Sequence, residues 1–589
     1  MVRIIADNIL SPLGATTRDN LQAVREGRSR LHLHQLWQVP EPFVASLFDE
    51  GAERPTYELL VLSSILRCLE GRTLTGRVVL VLSSTKGHTV GPDAHTFGES
   101  AGRIERLIRP YLPKVESLTS FTVSNACISG LSALIVARRL LSMGLYDYAI
   151  VTGCDVQSRF IVAGFQSFHA MSPEPCRPFD EDRNGLNLGE AAATIVLQRC
   201  DDAEVGDTGW QALPGFMRND AFHISSPSPT AEGSFQALSA AQSELPRPSC
   251  ISAHGTATLY NDDMESKAIH RVAMANDASS SIHRADFHQV PVSALKGYFG
   301  HTMGAAGILE TILTMHALDE GWIPGTRGYH VLGTSRPISV IGQHQSLLPD
   351  SGTPSFIKLM SGFGGCNAAM GFECLRDSKG CEGTLRDMKG RMCSGGEAKL
   401  MEAKLMEPAL SVHITPEGVT LCGEALPVDG AKGKALLTML YKTRVNDYPK
   451  FYKMDLLSRL GFIAAELLMR AEAASAPFGE SRAVLLFGQS ASCVADRSFE
   501  ATIQPGDYYP SPADFVYTLP NIVLGEIAIR HQLHGETCYF ALPKRDDALI
   551  RKLVSQAFAD PATTSALYGW IDAPDDDHFD AELFIFNLL

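Results

Sequence analysis

Four short segments of this chain carry residues whose types and spacing could do chemistry. The first, Ser124-Asn125-Ala126-Cys127-Ile128-Ser129-Gly130, puts one cysteine at the joint between an apolar run, residues 118–123, and a helix expected over residues 131–143. A thiol there meets the positive end of the helix dipole and unpaired N–H groups, which favour thiolate and so a nucleophile. The small residues Ala126, Ser129 and Gly130 leave room for a reacting group. The second, His254-Gly255-Thr256-Ala257-Thr258, presents an imidazole from a tight turn with two hydroxyls beside it, and Asn261, Asp262 and Glu265 follow closely. In the third, Lys296 precedes Gly300-His301 and a small-residue helix that carries Glu310. The fourth, Ser361-Gly362-Phe363-Gly364-Gly365-Cys366-Asn367, is a glycine-rich turn whose backbone can lie against a ligand.

Each residue alone has a plain structural reading. A buried cysteine is usually a small hydrophobe, and with 18 histidines in the chain any one of them is an ordinary core or surface residue first. A metal centre is the weaker alternative, because no Cys or His falls in a C-x-x-C or H-E-x-x-H spacing. The expected metal set is therefore none.

Taken in order, the four segments resemble the β-ketoacyl-acyl carrier protein synthases, the condensing-enzyme branch of the thiolase superfamily. The block Cys176-Arg177-Pro178-Phe179-Asp180-Glu181-Asp182-Arg183-Asn184-Gly185, ending in Gly189-Glu190, is similar to that family's post-nucleophile signature. Asn219-Asp220-Ala221-Phe222-His223 and the N-terminal Asn8-Ile9-Leu10-Ser11-Pro12-Leu13-Gly14 fit as well, so the resemblance covers residues 1 to about 375. It implies that Cys127 carries an acyl group and that the N–H groups of Cys127 and Phe363 form its oxyanion hole. His254 and His301 would stabilise the enolate left when malonyl-carrier loses carbon dioxide. Lys296 would orient the histidine site, with Glu310 in its network. Thr256 and Thr258 would hold the phosphopantetheine arm, Gly364 would be a further substrate-binding residue, and Phe363 would gate the pocket. His223 is read as structural.

Two departures bear on gating and chain preference: Cys366 stands where the family has threonine, and Ser361 where a second phenylalanine is common. The histidine pair with a lysine implies the elongating type, working in fatty-acid or polyketide/aryl-polyene-type biosynthesis. No cofactor is expected beyond the phosphopantetheine of an acyl carrier protein, which is the implied partner. Two rivals stand beside this reading. One is a catalytically silent chain-length-factor-like partner, against which the intact Cys127, His254, Lys296 and His301 count. The other is a coenzyme-A-dependent thiolase or acyltransferase, which the histidine pair disfavours.

Composition fits a multi-unit α/β protein. The 589 residues give a prior of three or four domain-sized units, 45% are hydrophobic, and 50 glycines supply many tight turns. Thirteen cysteines without regular spacing read as reduced thiols in a cytoplasmic protein. No signal-peptide core and no membrane-length apolar run are expected. A net charge of −15 argues against nonspecific nucleic-acid binding. Because carrier proteins are acidic too, docking needs a local basic patch, to which Arg54 is the candidate contributor.

Strand-like runs at 78–82, 149–152 and 193–197 alternate with helical stretches, which argues for parallel sheets covered by helices. The fold class implied is α/β, thiolase-like duplicated βαβαβαββ layers (α-β-α-β-α), with an additional smaller α/β synthase-like domain. The expected divisions are 1–204, bearing the cysteine; 205–375, bearing the histidines, Lys296 and the glycine turn; a linker over 376–410, with the echo of residues 397–401 in 402–406; and 411–589. The tail is expected to repeat the first half in degenerate, noncatalytic form. In that alignment Asn521 matches Asn125, Val523 takes the place of Cys127, and residues 514–519 form the strand that pairs with another synthase surface. A homodimer or a pseudo-dimer is expected.

Overall fold

In a computed structural model of the chain, residues 1–48, 55–87, 96–200, 209–278, 287–347, 352–375, 408, 410–473 and 480–588 are described. Arg54, the division between residues 204 and 205, and nearly all of the expected linker lie outside these residues.

Fifteen strands repeat one five-stranded plan three times. The first unit contains β1 (Val2–Leu10), β2 (Gly76–Ser83), β3 (Val115–Ser124), β4 (Tyr148–Asp155) and β5 (Ala191–Arg199), in the sheet order β1-β5-β4-β2-β3. The second contains β6 (Gly209–Asn219), β7 (Cys250–Ser252), β8 (Val292–Ser293), β9 (Ser355–Gly362) and β10 (Cys366–Leu375), ordered β6-β10-β9-β7-β8. The third contains β11 (Leu410–Thr415), β12 (Ala483–Gly488), β13 (Thr537–Ala541), β14 (Ser565–Asp572) and β15 (Asp580–Asn587), ordered β11-β15-β14-β12-β13. In every unit the second strand is parallel to the third and fourth, and the fifth is antiparallel to the first and fourth.

The central strands are apolar without alternation, as Val78-Val79-Leu80-Val81-Leu82 shows, because helices cover both faces. Between the first two sheets lie α1 (Ser129–Ser142), which follows Cys127, and α2 (Ala306–Asp319), which follows His301. Both helices are buried nearly all round. They meet through glycine: a Cβ on Gly130 would lie 2.8 Å from Gly304 O, and one on Gly307 2.6 Å from Leu131 N. This close approach sets the cysteine of one unit against the histidine of the other.

The third unit joins the first edge to edge. β13 runs antiparallel to β3, with Phe540 opposite Val123 and Tyr539 opposite Ser124. The order β1-β5-β4-β2-β3-β13-β12-β14-β15-β11 is therefore one continuous sheet with a pseudo-twofold seam between β3 and β13. Two buried ion pairs span the contact between the tail and the first two units, Arg139–Glu536 at 2.6 Å and Arg218–Asp560 at 2.5 Å.

The tail alignment expected from sequence is displaced. Residues 514–519 form no strand; they belong mainly to the helix α3 (Pro512–Tyr517), started by Pro512 and capped by Ser511, whose side chain accepts from Asp514 N–H. Asn521 and Val523 open the helix α4 (Ile522–His531), so Val523 does not take the place of Cys127. That place, between the third strand and its following helix α5 (Asp547–Ser555), is held by Leu542-Pro543-Lys544-Arg545-Asp546. Among the described residues no helix is long and apolar enough to cross a membrane.

Candidate active site

Cys127 lies just ahead of α1, and the residue before it takes a strained left-handed conformation, Ala126 φ +48°. Ser129 holds this turn by accepting from Asn125 N–H at 2.7 Å and donating to Ala126 O at 2.6 Å. The helix-dipole expectation for the thiol is outweighed. Burial pushes it up to about 11, against the opposing pull of Lys296 and of the Cys127 and Phe363 N–H groups, which point at the sulfur. At neutral pH the resting group is a thiol.

The turn after β7 presents His254, and its backbone is fixed by carboxylates. Glu265 accepts from the N–H of His254 and of Gly255, both at 2.7 Å, and Asp262 accepts from Thr256 N–H at 2.9 Å. Burial pushes Glu265 up to about 7. The acids that follow His254 in the sequence thus shape its turn rather than react. Thr256 and Thr258 touch through their hydroxyls at 2.9 Å, and beyond them Leu259 and Tyr260 are 56% and 78% exposed. The two threonines step from the buried imidazole toward the surface.

The rings of His254 and His301 lie 5.1 Å apart, nearly perpendicular. A ligating atom from each, together with Cys127 Sγ, falls within 4.8 Å of the other two. The sequence-distant thiol and imidazoles therefore share one cleft.

Hydrogen bonding fixes both tautomers. The Lys296 ammonium donates to His254 Nδ1 at 3.1 Å, and Met303 N–H donates to His301 Nδ1 at 3.2 Å. Each neutral ring then carries its proton on Nε2. His301 Nε2 is buried and has no protein partner among the described residues. Burial, reinforced by the Lys296 and Lys358 charges, holds both rings well below the usual histidine range.

Lys296 also donates to His254 O at 2.7 Å and to Glu310 at 2.8 Å. Glu310 bridges to a second buried ammonium, Lys358, at 2.7 Å. Burial raises the Glu310 carboxyl, but the two lysines outweigh it and keep it below the usual range. Lys358 also donates to the carbonyls of Ser252 and Ala253, at 3.0 and 2.9 Å, beneath the His254 turn. Sequence reasoning passed over Lys358; its signal is a lone lysine inside the apolar run of β9, where charge needs a partner.

The β9–β10 turn places Phe363 over Cys127, with Gly364 and Gly365 at φ +89° and +71°. Cys366 packs within it, its thiol toward Phe363 O at 3.2 Å, and Ser361 bonds Asn367 at 2.7 Å. His223 caps its own loop, Nδ1 accepting from the N–H of Ser225 and Ser226. A narrow pocket opens at Cys127 among Ile161, Phe165, Met303 and Phe363. Its remaining wall comes from the tail: Phe515, Thr518 and Leu519. Lys86 lines it as well, bonded to Asp496 at 2.5 Å and to Thr518 O. The tail, expected to be noncatalytic, thus supplies part of the wall.

Residues 119–203 match the family described as beta-ketoacyl synthase, N-terminal domain, and residues 214–330 match beta-ketoacyl synthase, C-terminal domain. Nodulation protein E of Rhizobium sp. (strain N33) is 34% identical over 216 residues, covering 36% of this chain and 51% of that protein. 3-oxoacyl-[acyl-carrier-protein] synthase 2 of Vibrio cholerae is 33% identical over 220 residues, covering 35% and 51%. The chain thus spans about half the length of these curated relatives. Among solved structures, the ketosynthase ApeO in complex with its chain length factor ApeC from Xenorhabdus doucetiae is 25% identical, with a TM-score of 0.52, over 63% of this chain and 97% of that one. The PfaC keto synthase–chain length factor shares the fold of nearly the whole chain: TM-score 0.71 at 13% identity, over 99% of this chain and 78% of that one. Residues 119–203 and 214–330 are thus similar to the N- and C-terminal domains of the β-ketoacyl synthases, on a thiolase-like fold.

Proposed function

We propose that the chain is an elongating β-ketoacyl-[acyl carrier protein] synthase, joining an acyl thioester to malonyl-carrier with loss of carbon dioxide. The observation that carries this reading is the pair of neutral imidazoles whose Nε2–H groups converge beside Cys127. In the first step Cys127 sulfur attacks the acyl-carrier thioester, and the carbonyl oxygen takes the Cys127 and Phe363 N–H bonds. The carrier's sulfur leaves and receives the cysteine's proton. In the second step the malonyl thioester oxygen accepts from His254 and His301, and the C–C bond to the carboxylate breaks to release carbon dioxide and leave an enolate. The enolate carbon then attacks the Cys127-bound carbonyl. The C–S bond breaks, and the cysteine sulfur takes up one proton. Fixed donors aimed at developing charge suit this better than acids, since neither ring need change protonation. Lys296, held by Glu310, whose other oxygen pairs with Lys358, keeps His254 in the donor tautomer.

The tail acts as a noncatalytic partner half: it covers the β3 edge and closes the acyl pocket, so one chain holds a pseudo-dimer. An acyl carrier protein delivers both substrates past Thr256 and Thr258. The free thiols suit the cytoplasm, and fatty-acid or polyketide-type assembly is the pathway class.

His301→Ala tests the division of labour. It is expected to retain Cys127 acylation while losing about a thousandfold in condensation with malonyl-carrier. Equal loss of both steps would contradict the reading.

A further inference from the structure

The turn that aims the Phe363 N–H at Cys127 is held from several sides. Gly364 N–H donates to Ile224 O at 2.7 Å, and Gly364 O accepts from Asn219 Nδ2 at 2.9 Å. Gly365 O accepts from Asp220 N–H at 2.7 Å and from Asn367 Nδ2 at 3.1 Å. All of these partners come from the second unit. The carbonyl of Phe363 itself is different: besides Cys366, it accepts from Asn521 Nδ2 at 2.8 Å, across 158 positions of sequence and from the tail.

Asn521 stands at the N-cap of α4, where an asparagine ordinarily accepts from the helix's own N–H groups. Its side chain makes no cap bond and is spent on Phe363 instead. It is 2% exposed, and its amide must present nitrogen to Phe363 because a carbonyl oxygen only accepts. The surrounding backbone is cut to fit. A Cβ on Gly364 would lie 2.5 Å from Asn521 Nδ2, and one on Gly525, in the first turn of α4, 2.8 Å from Gly364 O. The N–H and the carbonyl of Phe363 are separated only by that residue's two backbone rotations, so holding one restricts the aim of the other.

We propose that Asn521 is a positioning residue for the Phe363 N–H, so that the tail sets the acyl-accepting competence of Cys127 through one side-chain amide. This rests on the acyl-transfer reading of the site.

The test uses the full chain with Asn521→Leu and the isosteric Asn521→Asp. Cys127 acylation from acyl-carrier, decarboxylation of malonyl-carrier without acyl donor, and hydrogen exchange of a peptide spanning residues 360–368 are followed. Asn521→Leu is expected to acylate about ten- to a hundredfold more slowly, with decarboxylation within about twofold of the parent and faster exchange in the peptide. Asn521→Asp is expected to be equally slow at high pH. Relative to the parent it should recover as pH falls, because the protonated carboxyl regains a donor; a packing role predicts no such recovery. If the leucine variant does not fold, the aspartate variant carries the test. Parental acylation and parental exchange in a folded Asn521→Leu, or in Asn521→Asp at high pH, would overturn the proposal, as would parallel loss of both reactions. A parent chain that forms no adduct at Cys127 would instead refute the proposed function, and the exchange result would still decide whether Asn521 holds the turn.

Discussion

After the third strand of the first unit the chain reads Asn125-Ala126-Cys127-Ile128; after the third strand of the third unit it reads Leu542-Pro543-Lys544-Arg545-Asp546. The strands on either side pair in the same order, and one further device is shared. Asp155, at the end of β4, accepts from Ser84 Oγ at 2.6 Å and Thr85 N–H at 3.1 Å. Asp572, at the end of β14, accepts from Ser490 N–H at 2.6 Å and Gln489 N–H at 3.0 Å. What differs is what faces the turn. Cys127 looks across the helix layer at the histidines and lysines of a second unit, and its neighbour Ala126 bears a strained φ. Among the described residues the tail's turn faces no such set of histidines and lysines. None of residues 542–546 takes a positive φ, and Arg545 is spent on Asp547 and Glu582. Sheet order survives on packing alone, whereas the strained cysteine turn stands where a second unit faces it.

The largest test of that contrast removes the tail. Deleting residues 411–589 bares the β3 edge, strips Phe515 and Leu519 from the pocket and removes the carboxylate partners of Arg139 and Arg218. The truncated chain is expected to aggregate and to lose acylation, since an unpaired strand edge and newly exposed apolar surface associate. A soluble truncate with parental acylation would show that the first two units suffice. A smaller effect is expected from Glu310→Gln, which leaves two buried ammoniums facing each other. Stability should fall by about 3–5 kcal/mol in denaturant titration, and a loss under about 1 kcal/mol would show the network to be dispensable. The mildest test is alkylation of Cys127 by iodoacetamide. With the thiol pushed up to about 11, its rate is expected to climb about tenfold per pH unit from roughly pH 7 to 10, because only thiolate reacts. A plateau near neutrality would mean that the helix dipole prevails over burial.

That these side chains share one cleft was legible because Cys127, His254, Lys296 and His301 sit in turns dense with glycine and small residues, where close approach restricts the choice of residue. Lys358 was not, because one lysine in an apolar strand carries no local mark of the Glu310 it meets across the fold. The tail misled at 514–519, where a short apolar run fits strand or helix equally and only Ser511-Pro512 marks a helix start. Asn521 was noticed for a resemblance to Asn125, but its partner Phe363 lies in another unit and no periodicity announces the contact.

The most direct test of the central claim is the intact mass of the full chain after incubation with acyl-carrier, with the adduct located by peptide mapping. A single acyl group on Cys127, absent from Cys127→Ala and independent of malonyl-carrier, is the predicted result. An adduct that persists in Cys127→Ala, or that maps to another residue, would contradict it.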